Sequence, residues 1–169
     1  MQTNGCEGPS VRAPRRAAVA IITGGSVGAG REIARKLARW GWAIVLVYLE
    51  QQRTTEATVA EIIAAEGTIV AVRADLTDDL DVQRLFAESR AAFGDVDVVV
   101  HTTTDSPLVL LQHAARHLRR GGAIVGVIPA EAVTPEVAGQ LSERDVSVGS
   151  APPDEVLRFL DHWRHMAVL

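Results

Sequence analysis

Five short runs of almost unbroken apolar, largely β-branched character punctuate the chain: Ala17–Thr23 (AAVAIIT), Ala43–Leu49 (AIVLVYL), Thr68–Arg73 (TIVAVR), Val96–Thr102 (VDVVVHT) and Ala123–Ile128 (AIVGVI). They do not alternate cleanly between apolar and polar, so each predicts a strand covered on both faces, as in a parallel sheet sandwiched by helices. The segments between them read as helices. Gly28–Trp40 runs up to a stop glycine, Gly41, and Gln52–Glu66 runs up to Gly67. In Asp78–Phe93, Leu80, Leu85, Phe86 and Phe93 are expected to form one buried stripe. Ser106–Arg120 has Pro107 in its first turn, basic residues in its last and Gly121-Gly122 beyond it. The tail repeats the theme more weakly, with Pro135–Glu143 as helix, Asp145–Gly149 as strand and Pro153–Trp163 as helix. Such alternation predicts a right-handed, doubly wound α/β fold: one parallel sheet of five to six strands, ordered 3-2-1-4-5 with room for a short sixth.

Residues 1–16 carry Gly, Pro, Asn and Arg without periodicity and read as a flexible arm, leaving 17–169 as a single domain. Arg15-Arg16 ahead of an apolar run imitates a signal peptide, but the run meets Gly24-Gly25 with no cleavage site, so the expected location is cytoplasmic. No apolar run reaches the roughly 20 residues needed to span a bilayer, and no membrane partner is expected. At 47% hydrophobic and net charge −4, the chain can bury enough surface to fold, and its acidity argues against a nucleic-acid groove. A single cysteine, Cys6, excludes an internal disulfide framework and a multi-cysteine zinc site. There is one tyrosine, Tyr48, and one lysine, Lys36, so any chemistry needing a Tyr–Lys pair must use those two.

The most informative segment is Thr23-Gly24-Gly25-Ser26-Val27-Gly28-Ala29-Gly30, between the first strand and the first helix. Glycines there permit a tight turn and the close approach of a pyrophosphate. The helix N-terminus then offers free N–H groups and the positive end of its dipole to the phosphates.

The spacing TGxxxGxG resembles the short-chain dehydrogenase/reductase family, particularly its 3-oxoacyl-acyl-carrier-protein reductase branch, from about Ala17 to Ile128. Glu56–Asp75 (EATVAEIIAAEGTIVAVRAD) is similar to the same branch. The resemblance implies a Rossmann-like sheet and NAD(P) as cofactor, with Thr23, Gly24, Ser26, Val27, Gly28 and Gly30 at the phosphates. It also implies Asp75 and Leu76 at the adenine, and Thr102 where the nicotinamide ribose passes. Asp97–Thr104 (DVVVHTTT) falls where the family has a strand ending in Asn-Asn-Ala-Gly, and Gly121–Ile128 falls on the strand leading to the catalytic serine.

The departures concentrate where the chemistry belongs. The serine position matches Pro129, and no tyrosine or lysine follows Tyr48, so the family's Tyr-x-x-x-Lys proton donor is absent from this sequence. Only seventeen residues separate Thr104 from Gly122, so the domain is shortened after its fourth strand. One helix of fifteen residues, about 22 Å long, still suffices to return the chain for a parallel strand. The positions where NADP-preferring relatives place basic residues match Val27 and Leu49, whereas Glu50 can accept from a ribose and repels a 2′-phosphate. NAD(H) or an adenine nucleotide is therefore chemically easier than NADP(H).

Several side chains carry two readings each. His101, at the tip of the fourth strand with Asp105 nearby, is the one candidate for a replacement acid, set against a strand-end histidine bonded to backbone. The second reading is favoured. His113 and His117 stand one helical turn apart, but without a nearby acidic partner no metal site is expected. Arg116, Arg119 and Arg120 suit a helix C-terminus, with docking of an acidic carrier as the competing use. Trp42 is expected in the core and Trp40 at the rim. The expected function is a catalytically degenerate reductase-like protein that serves as a non-catalytic subunit, either self-associated or paired with a full-length short-chain ketoreductase. The alternatives are a dinucleotide-binding sensor and a residual NAD(P)-dependent oxidoreductase that borrows its acid from His101 or a partner.

Overall fold

Both faces of the central strands are buried, and that sets the architecture. The structure, a computed structural model, describes residues 16–166; Cys6 and residues 1–15 of the expected arm lie outside the described residues. Six strands, β1 (Val19–Thr23), β2 (Ala43–Tyr48), β3 (Thr68–Arg73), β4 (Val98–His101), β5 (Ala123–Gly126) and β6 (Ser147–Ser150), form one parallel sheet ordered β3-β2-β1-β4-β5-β6. This is the expected order with the sixth strand added. The helices α1 (Gly28–Arg39), α2 (Gln52–Ala64) and α6 (Pro153–Met166) cover one face, and α3 (Asp79–Phe93), α4 (Leu108–His117) and α5 (Pro135–Glu143) cover the other. The pleat divides β1 between two cores. Val19 and Ile21 pack toward α3–α5, while Ala20 and Ile22 pack toward α1, α2 and α6.

The buried row of α3 differs from the expected one. Leu80 is 71% exposed, and the inward row is Val82, Leu85, Phe86 and Ser89. Those positions follow the i, i+3, i+4, i+7 pattern, and Leu80 falls outside it toward solvent. The stop of α2 also differs. The left-handed residue is Glu66, at φ 61°, whereas Gly67 is required because a Cβ there would lie 2.5 Å from Ile62 Cγ2. Helix α4 has ten residues, about 15 Å. It closes the crossover because β4 and β5 have only four residues each, about 13 Å.

Two contacts fix the ends of the sheet. Asp97, 1% exposed just before β4, accepts the Val19 N–H at 2.8 Å and pairs with Arg16 and Arg119, tying the start of β1 to that of β4. Arg16, the last residue assigned to the arm, is thus bonded to the domain. On the other face Trp42 lies in the core, edge-on to both Trp163 of α6 and Trp40, and Arg164 covers the Trp40 ring at 4.1 Å. Trp40 is half-buried at the rim, as its place before a stop glycine predicts.

Candidate functional site

The strand order reverses between β1 and β4, and a crevice opens beyond their carboxyl ends, the place where doubly wound sheets receive ligands. The turn from β1 to α1 forms its floor. Gly24 and Gly28 have φ of 67° and 55°, a region that disfavours other residues. Gly30 is required for packing, since a Cβ there would lie 2.4 Å from the Gly24 carbonyl oxygen. Gly28 differs from both: among the described residues no atom lies within 4 Å of where its Cβ would stand, so the turn faces open space there. Val27, the N-cap of α1, provides no side-chain hydrogen bond, and no acidic residue occupies the first turn. The first N–H groups of the helix are left to an external acceptor.

A cleft of about 450 Å³ adjoins this turn. It brings Gly24 together with Asp75 and Leu76 from the loop after β3, and Tyr48 and Glu50 from the end of β2. Asp75 Oδ1 accepts from the Thr77 hydroxyl at 2.7 Å and the Thr77 N–H at 2.9 Å. Those two donors hold the Asp75 carboxyl below the usual carboxylate range. Its Oδ2 takes no hydrogen bond among the described residues. Ser26 is buried and donates to Gln51 Oε1 at 3.2 Å, bracing the turn against the start of α2. Val27 is half-exposed at the mouth.

Thr23, His101 and Thr102 form a closed hydrogen-bond set at the ends of β1 and β4. Thr102 Oγ1 donates to the Thr23 carbonyl at 2.6 Å, and His101 Nδ1 lies 2.9 Å from Thr23 Oγ1. His101 Nε2 lies 3.1 Å from the Asp105 carbonyl. A carbonyl can only accept, so the ring proton is on Nε2 and Nδ1 accepts from the Thr23 hydroxyl. His101 is fully buried, and burial pushes its pKa below 6.5, against a smaller opposing effect of Asp105. Both ring nitrogens are engaged, in the manner of a strand-end histidine bonded to backbone. The unfolded chain therefore takes up the proton first as pH falls. The stability His101 contributes is full above 6.5 and is lost as pH drops through its folded pKa. Histidine NMR should show the Nε2–H tautomer titrating below 6.5, and a titration at or above that value would contradict this bonding.

One residue of this region, Gly126, escaped sequence reasoning. Thr103 and Asp105 line the cleft, and side chains of Thr102 and Thr103 crowd Gly24 within 2.7 Å of a Cβ position. Gly126, at φ 137°, must be glycine because a Cβ would fall 1.9 Å from the His101 carbonyl oxygen. Only the Gly in GAIVGV hinted at it. Tyr48 reaches the cleft rim while Lys36 is exposed on α1, so the two are not brought together at the β4–β5 end. Pro129 precedes a short 3-10 turn, Ala130–Ala132.

Away from the cleft, His113 does have an acidic partner, contrary to expectation: Asp79 of α3, at 2.9 Å. The His113 and His117 rings stack at 5.7 Å and 11°, and Phe86 packs against both, at 6.4 and 5.5 Å, so the rings serve as packing surface. Among the described residues no three His, Cys, Asp or Glu side chains cluster as metal ligands, and no helix is long and apolar enough to cross a membrane.

A parallel sheet with a glycine turn at its switch point defines an α/β protein of the dinucleotide-binding type of fold. The family model for short chain dehydrogenases matches residues 18–120, and the chain belongs to the short-chain dehydrogenase/reductase family. It is 33% identical over 130 residues to a hydroxynaphthalene reductase-like protein of Metarhizium anisopliae, covering 63% of this chain and 49% of that protein. It is 35% identical over 160 residues to an L-rhamnose 1-dehydrogenase (NAD(P)(+)) of Azotobacter vinelandii, covering 72% and 62% respectively. Among solved structures, a dehydrogenase/reductase from Sinorhizobium meliloti superposes with a TM-score of 0.67 at 27% identity, covering 82% of this chain and 72% of that one. A short-chain dehydrogenase from Burkholderia cenocepacia in complex with NADP gives 0.68 at 26% identity, covering 81% and 74%. The chain spans about half the length of the hydroxynaphthalene reductase-like relative.

Proposed function

We propose that this chain is a catalytically degenerate member of its family that holds the ADP portion of NAD(H) without a proton donor of its own. The observation carrying this reading is the open Gly28 turn beside the cleft of Asp75 and Leu76. The residues fit the group: uncapped N–H groups suit a pyrophosphate, and the free Asp75 Oδ2 suits an adenine amine. A bound nicotinamide dinucleotide would supply hydride. The chain's own part is to bind and orient, with Thr102 and Thr103 bulky where the nicotinamide ribose would pass. Glu50, Asp75 and Asp105 line the cleft and, among the described residues, no basic side chain does, which disfavours a 2′-phosphate. Calorimetric titration should give micromolar binding of NADH and ADP-ribose and weaker binding of NADPH. Absence of heat up to millimolar NADH would overturn the reading, and a preference for NADPH would overturn its electrostatic part.

A second reading, a non-catalytic subunit of a complete ketoreductase, is favoured by β6. That strand pairs with β5 alone, and its outer edge has no neighbour among the described residues. An open edge is a template for association. Size-exclusion chromatography with light scattering should show a defined complex when the chain is mixed with a full-length short-chain ketoreductase. A clean monomer that ignores the reductase counts against it.

A further inference from the structure

A second concave site lies at the opposite edge of the sheet, where the strands begin. It is a cleft of about 670 Å³ between the C-terminal ends of α3 and α4, within the roughly 300–1,000 Å³ typical of small-molecule sites. Arg90, Arg116, Arg119, Arg120 and Arg144 surround it. These are five of the sixteen arginines of a chain whose net charge is −4. Phe86, Val96 and Leu118 contribute an apolar floor.

Part of this charge is already answered. Asp97 holds Arg119 at 3.2 Å, and Arg90 and Arg120 lie 3.4 Å from Asp95 and Asp145. Arg116 and Arg144 have no carboxylate partner among the described residues. Arg144 donates to the Leu118 carbonyl at 2.7 Å, which serves the end of α4, but its Nε is buried without an acceptor. His117 sits in the same field. It faces Phe86 and Arg90 of α3, His113 and Arg116 of its own helix, and Arg144 beyond α5. Burial, and then the positive charge of those neighbours, pushes its pKa below 6.5.

We propose that this cleft binds a compact phosphorylated anion, with Arg116 and Arg144 as its principal donors and Arg120 at the rim. Guanidinium groups match phosphate oxygens in paired hydrogen bonds, and the concave, partly apolar floor suits a small ligand better than a flat acidic peptide. The site is independent of the Gly28 turn.

Inorganic pyrophosphate is the probe. Calorimetry should show a binding event at this cleft, weakening with added salt and separable by Gly28→Val from any on the glycine turn. The double variant Arg116→Ala/Arg120→Ala should bind roughly tenfold or more weakly, because two charge-assisted contacts are lost. Its fold should be unchanged, since Arg116 has no ion pair among the described residues and the Arg120–Asp145 pair is exposed on both sides. Gly28→Val should leave this event intact, and pyrophosphate should raise the His117 titration midpoint observed by NMR. No binding up to millimolar pyrophosphate overturns the proposal. So does binding that survives in the arginine variant but disappears in Gly28→Val, which would place the anion on the glycine turn. Binding of a poly-glutamate peptide where pyrophosphate fails would likewise overturn it and assign the cleft to an acidic partner.

Discussion

Gly28→Val is expected to weaken binding of NADH and ADP-ribose by roughly a hundredfold, the loss of two or so hydrogen bonds from backbone N–H groups to a charged phosphate. The substitution acts where the structure leaves room. With nothing within 4 Å of its Cβ position, valine fits the fold sterically, and its branched side chain stands where the pyrophosphate approaches. The conformational cost at φ 55° is upward of about 1–2 kcal/mol, because a branched Cβ suits the left-handed region poorly. Gly24→Val is the poorer test, because its Cβ would collide with Thr102 Oγ1 and Thr103 Cγ2 and disturb the end of β4. Circular dichroism beside the binding titration separates the two effects. Native Gly28→Val protein with undiminished affinity would refute the turn as the phosphate cradle.

Asp97→Ala should be the most damaging change to stability. Its two arginines are 42% and 36% exposed and return to water when the carboxylate goes, so the ion pairs themselves account for little of the loss. The cost lies with the buried Val19 N–H, which loses a charged acceptor at 2.8 Å. That amounts to about 2–4 kcal/mol. Asp97→Asn keeps an acceptor oxygen and should recover roughly half of it, while Arg119→Ala should cost less than about 1 kcal/mol. Urea unfolding of the three variants gives the ranking. A loss in Arg119→Ala as large as in Asp97→Ala would mean the ion pair, not the buried hydrogen bond, holds the strands.

The sequence by itself determined the fold. Unbroken apolar runs such as AIVLVYL and AAVAIIT are stable only as strands covered on both faces, and glycines at the helix ends fixed where the chain turns. It also places its one tyrosine and one lysine upstream of the fourth strand, away from where the family's Tyr-x-x-x-Lys pair stands. Side-chain partnerships across long sequence separations were decided only in three dimensions. Leu80 looked apolar enough for the core, but the helical phase set by Val82, Leu85 and Phe86 turned it outward. His101 carried a donor's chemistry in sequence, and the approach of Thr23 and the Asp105 carbonyl occupied both its nitrogens. Asp79 reached His113, and five arginines from α3, α4, the turn after α4 and the end of α5 met around one cleft. Periodicity reports which face of an element is buried, because burial repeats with the element's own geometry. It carries no record of which neighbour lies there, because that is set by how separate elements pack.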